Sequence, residues 1–73
     1  MNNWFEETLK NSIETDTITL NELENEYKQL KSLNISDPEH KKMQEEGIAF
    51  YKERIRFLKK RLKHNKKIIN TEN

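Results

Sequence analysis

The apolar residues of this chain recur in alternating steps of three and four. Ile48, Tyr51, Ile55, Leu58, Leu62, Asn65 and Ile69 keep this alternation without a gap. It is the a/d signature of a narrow seam that one helix lays against another, as in a coiled coil. The pattern predicts one unbroken helix over about 37–69. Its start is marked by Ser36-Asp37-Pro38-Glu39. Either Asp37 caps the helix with Pro38 in the first helical position, or Ser36 caps it with Glu39 three residues on. Asn65 is the polar member of the seam; such a residue either fixes register or marks where the seam reaches water.

A second stripe runs beside the seam. Met43, Phe50, Phe57 and His64 repeat every seven residues at the c positions. These lie roughly 100° from d around the helix, too far to share one narrow seam. The long helix therefore has two sides to pack. Gly47 and Arg54 fall on the same side as the stripe. A glycine here costs roughly 1 kcal/mol against alanine, and its missing side chain would let another backbone come close.

The pattern upstream is shorter and interrupted. Phe5, Leu9 and Ile13 line one face of a predicted helix over about 3–13, with Asn3 placed to cap it and Trp4 and Phe5 as its packing anchors. Glu14 to Ile18 reads as a polar break, because Asp16 and its neighbouring threonines favour caps and turns. Thr19-Leu20-Asn21-Glu22 then fits a capping box, with Ile18 and Leu23 placed as a hydrophobic staple. It predicts a helix over about 19–34 whose seam is Leu20, Leu23, Tyr27 and Leu30. Glu24 and Lys28 are spaced for a helical ion pair. The four residues Asn34-Ile35-Ser36-Asp37 are short enough to make the flanking helices antiparallel neighbours. Counting back from that loop sets Leu30 near Met43, Tyr27 near Ile48, Leu23 near Tyr51 and Leu20 near Ile55. Residues 70–73 carry no packing side chains and read as a frayed tail.

Length changes this picture by limiting what one copy can bury. A 73-residue chain makes one helical domain, 1–73. A domain of that size removes only about 60% of its unfolded surface from water. Without cysteine, neither disulfides nor thiolate metal sites can staple it. The expected fold is all-α: an antiparallel, coiled-coil-like helical hairpin with a short N-terminal helix, completed as a helical bundle by dimerisation. The self-association contacts fall to Met43, Gly47, Phe50, Arg54 and Phe57.

Charge divides the chain. Residues 1–50 hold five Lys/Arg and eleven Asp/Glu, whereas 51–73 hold nine and two, within a net charge of +1. This polarity suits pairing of unlike ends or an anionic partner for the basic end. The N-terminus has no signal-peptide pattern, and no apolar run approaches the ~20 residues of a membrane span. The sequence reads as cytoplasmic, with no membrane role.

No constellation for catalysis or cofactor binding emerges. A single glycine cannot form a phosphate loop. His40 and His64 lie roughly 36 Å apart along one helix at the usual rise, and Asp37 with His40 would supply two metal ligands where three or four are needed. The expected function is a non-enzymatic protein-protein interaction module, self-associating, of the regulator, inhibitor or adaptor kind. The alternative is a nucleic-acid-binding accessory protein using Arg54, Arg56, Lys59, Lys60, Arg61, Lys63, Lys66 and Lys67. Those cations can neutralise phosphates, but seam residues rather than exposed aromatics interleave them, so no base-stacking platform is indicated.

Overall fold

The structure, a computed structural model, describes residues 3–72. Its elements are two helices, α1 (Asn3–Ser32) and α2 (Pro38–Glu72), which pack side by side as an antiparallel hairpin. The result is a rod of 55 × 14 × 14 Å.

The long C-terminal helix begins as its capping signals predict. The Asp37 carboxylate accepts the His40 amide at 3.0 Å, and the Asp37 carbonyl accepts the Lys41 amide at 2.8 Å. Asp37 is therefore the cap and Pro38 the first helical residue. The tail differs from expectation. Helix α2 runs on through Asn70 and Thr71, whose hydroxyl returns to the Lys67 carbonyl at 2.8 Å. Only Asn73 of the predicted frayed segment lies outside the described residues.

The N-terminal half departs further. There is no separate short helix over 3–13 and no break at Glu14–Ile18; α1 is continuous from Asn3 to Ser32. The capping box at Thr19 is not used as a helix start. Local propensity for a turn is weak, and two features override it. The Thr8 and Thr17 hydroxyls donate back to the Trp4 and Ile13 carbonyls, at 2.8 and 2.7 Å, which satisfies them inside a helix. Asp16, the strongest turn-former in the stretch, is held by a side chain of α2, described below. With the break removed, the α1 seam becomes Leu9, Ser12, Asp16, Leu20, Leu23, Tyr27 and Leu30. All seven are buried or half-buried.

A straight α1 reaches the far end of α2 and covers its seam there. Leu9, Leu58 and Leu62 are the buried apolar core, and Ile55, Asn65 and Ile69 are half-buried. Register is fixed by contacts along the whole length: Glu26 with Tyr51, Asp16 with Arg61, Ser12 with Asn65. Each step back along α1 matches an equal step forward along α2. Leu30 consequently lies against Gly47, one turn from the Met43 neighbour expected by counting from the loop. The offset arises because α1 ends at Ser32 and 33–37 forms the connection. The Gln44 amide then reaches back to close the end of α1, donating to the Leu30 carbonyl at 2.7 Å and the Leu33 carbonyl at 3.0 Å. The Leu30 carbonyl also accepts the Leu33 amide at 3.3 Å, so Gln44 adds a side-chain donor to a helix end whose carbonyls run short of backbone partners.

Gly47 thus serves a contact within the chain. A Cβ placed there would lie 2.9 Å from Cδ2 of Leu30. That atom is the free end of a flexible side chain near the end of α1, so alanine is tolerated by a small shift. The shift offsets the gain of about 1 kcal/mol in helix propensity. Gly47→Ala should therefore leave the melting temperature nearly unchanged, whereas Gly47→Leu should destabilise by about 1–3 kcal/mol through overpacking. Thermal denaturation followed by circular dichroism checks both; a clear stabilisation by leucine would refute the close approach.

Candidate interaction surfaces and the buried ion pair

The polar centre of the hairpin is a carboxylate in its seam. Asp16 is 4% exposed. Both its oxygens are bonded by one guanidinium: Nε of Arg61 donates to Oδ2 and an Arg61 Nη to Oδ1, each at 2.7 Å. A planar fork matched to a carboxylate is the strongest common form of such a pair. The Arg61 side chain itself remains 45% exposed, so only one partner leaves water. Hydrogen bonding from Arg61 lowers the Asp16 pKa from its ordinary 3.8, burial opposes this, and the guanidinium charge adds to the lowering. The pair raises the Arg61 pKa in turn. One turn further, Asn65 donates to the Ser12 hydroxyl at 3.5 Å, a longer contact in the same polar stretch. Asn65 therefore faces a polar partner on α1 rather than marking the end of the seam.

The apolar c stripe remains open. Met43, Phe50 and Phe57 are 64%, 60% and 54% exposed. Helix α1 packs on the seam and leaves this side uncovered. An open groove along the stripe is bordered by Glu46, Ala49, Phe50, Glu53, Arg54 and Phe57. Two ring contacts set the aromatic positions: Phe50 meets Tyr51 edge-on at 5.9 Å, and the Arg61 guanidinium lies 5.2 Å from the centre of the Phe57 ring. Of the residues expected to make self-association contacts, Met43, Phe50, Arg54 and Phe57 share this open side. Gly47 faces Leu30. Trp4, expected as a packing anchor, is 69% exposed.

The cations of α2 are sorted onto different sides. Arg61 turns inward to Asp16, and Arg54 borders the apolar groove. Lys59, Lys60 and Lys63 surround a second groove with Lys52 and Arg56, over a floor of Tyr27 and Ile55. Lys63, Lys66 and Lys67 continue toward the end of the helix. Glu24, expected to pair with Lys28, reaches across to Lys59 at 4.0 Å.

Among the described residues no group of three or more His, Asp or Glu side chains is placed to hold a metal, and no helix is long and apolar enough to cross a membrane. Comparisons with family models, curated proteins and solved structures give no match to this chain.

Sequence reasoning missed Asp16 because it treated the residue as a turn former. The signal was present in its spacing. Ser12 and Asp16 continue the steps of three and four that join Leu9 to Leu23.

The depressed Asp16 pKa sets a pH dependence. A group whose folded pKa lies below its unfolded value adds stability above the unfolded value and loses it as pH falls through the folded one. Asp16→Asn should cost about 1–2 kcal/mol near neutral pH, toward the low end because Arg61 remains partly in water. The wild-type advantage should hold at pH values above 3.8 and shrink below it. Parallel acid titrations of melting temperature measure this; an advantage that grows on acidification would contradict it.

Proposed function

We propose that the chain is a non-enzymatic helical interaction module that self-associates through the Met43–Phe50–Phe57 side of α2. Its simplest assembly is a two-fold, coiled-coil-like four-helix dimer. The observation that carries this reading is the apolar stripe that α1 leaves uncovered, with three large side chains each more than half exposed.

The economy of the fold supports it. The chain exposes 6024 Å². A compact folded protein of 8.9 kDa would expose about 4,800 Å². The radius of gyration is 16.7 Å, where about 11 Å is usual for this length. Among the described residues, three buried apolar side chains make a slender core. A second copy would supply the missing burial.

The stripe is also complementary to itself. Met43 and Phe57 each lie seven residues from Phe50. Antiparallel packing of two α2 helices about Phe50 would set Met43 of one copy against Phe57 of the other. Arg54 and Glu46 each lie four residues from Phe50, so the same arrangement brings these opposite charges together. Salt screens such exposed pairs, so burial supplies most of the stabilisation and charge sets orientation.

The side chains are already partly covered, so completing their burial contributes about 1–2 kcal/mol each, below the value for full burial. Phe50→Ala with Phe57→Ala removes four rings from a dimer and should dissociate or unfold it. Light scattering coupled to size exclusion should give twice the chain mass for the wild type. A wild-type monomer at tens of micromolar would overturn the proposal.

A further inference from the structure

A different side of α2 presents a different chemistry. At 3.6 residues per turn, the apolar stripe and a row of cations lie on opposite sides of the seam, each about 110° from it, and about 140° from one another. The row is Lys52, Arg56, Lys59 and Lys63, spaced by four, three and four. It extends roughly 16 Å along the helix. It borders the trough between α1 and α2 on the side away from Phe50 and Phe57. Two adjoining hollows there share Tyr27, Ile55 and Lys59 and so form one continuous groove. Its floor is apolar: the half-buried Tyr27 ring and Ile55. Its α1 rim carries Lys28 and Lys31, with the Lys31 ammonium 5.1 Å from the centre of the Tyr27 ring, and Glu24, which lies 4.0 Å from Lys59 across the groove. Arg56 pairs with Glu53 on its own helix. Cations outnumber these two exposed carboxylates on the banks of an apolar channel, and such solvent-exposed pairs exchange readily for an incoming carboxylate.

We infer that this groove is a docking site for an acidic amphipathic helix of a partner protein. A trough between two antiparallel helices accepts a third helix by the same packing of ridges into grooves that joins the first two. The Tyr27–Ile55 floor takes apolar side chains on one face of the incoming helix. The flanking lysines and Arg56 take carboxylates at its edges. Charge complementarity selects the occupant: α2 holds eleven Lys/Arg against five Asp/Glu. A nucleic acid would use the charges but leave the floor without an apolar partner. It would also find Arg61 committed to Asp16 and Arg54 on the other side. The site is separate from the self-association stripe, so both can be filled together.

The test uses a labelled synthetic helix of about twenty residues, long enough to be helical when bound, with leucine at a and d and glutamate or glutamine elsewhere. Fluorescence anisotropy with the full chain at physiological salt should show saturable binding at micromolar concentrations. A scrambled peptide of equal composition should bind at least tenfold more weakly, because it cannot present leucines and carboxylates on separate faces. Lys52→Glu with Arg56→Glu and Lys63→Glu should weaken the ordered peptide at least tenfold. Lys41→Glu with Lys42→Glu, which reverses charge outside the groove and the stripe, should not. Circular dichroism of the charge-reversed protein should match the wild type, so that lost binding reports the groove. Equal binding of ordered and scrambled peptides, tighter binding of labelled oligothymidine or of anionic phosphatidylglycerol vesicles, or no saturable peptide binding would each overturn the assignment.

Discussion

Two oxygens of one carboxylate and two nitrogens of one guanidinium, each pair 2.7 Å apart, join α1 to α2 at Asp16 and Arg61. An aspartate in a helical seam left without that partner would bury an uncompensated charge at a cost of several kcal/mol. Sliding α1 by one turn would separate the pair and place Leu20 or Ser12, neither of them an anion, opposite Arg61. The ion pair thus acts less as a source of net stability than as a penalty on every other register. Leucines alone interlock almost as well when shifted by a turn. The Ser12–Asn65 contact and the tyrosine hydroxyl of Tyr51, which donates to Glu26 at 2.9 Å, repeat the same constraint at two further points.

That register decides which surfaces remain open. With α1 straight and matched to the full length of α2, its N-terminal turns cover Leu58, Leu62 and Ile69 instead of folding over the c stripe. A helix folded back as a separate element could have covered Phe50 and Phe57 within one chain. The two-helix rod cannot do so, because a helix in contact with one stripe of α2 is about 100° away from the next. Exposure of the stripe therefore follows from the continuity of α1, and the continuity of α1 from the partner that Asp16 finds.

Much of this was legible in the sequence. The α2 seam, the cap at Asp37 and the antiparallel connection could be read because each depends on spacing or on side chains that act within a turn. The continuity of α1 could not be read from propensity, since Asp16 and its threonines favour turns by local hydrogen bonding, and a residue 45 positions away reverses that preference. The register was misplaced by a turn for a related reason: Gln44 closing α1 and Gly47 admitting Leu30 are tertiary contacts with no local signature. The open stripe was legible as apolar, but only the structure separates a stripe that α1 covers from one that it leaves exposed.

Arg61 links the inside of the hairpin to its open side. Its fork is held by Asp16, while its carbon and nitrogen plane lies 5.2 Å from the centre of the Phe57 ring. A guanidinium free to rotate would leave that ring several orientations on the surface. One fixed by a buried carboxylate reduces that freedom, which would lower the ordering cost of the association proposed above. The same pair that penalises a shifted register therefore also favours a single shape for the exposed aromatic next to it. Loss of Asp16 should then weaken contacts made by Phe57 even though Asp16 itself is shielded from any partner.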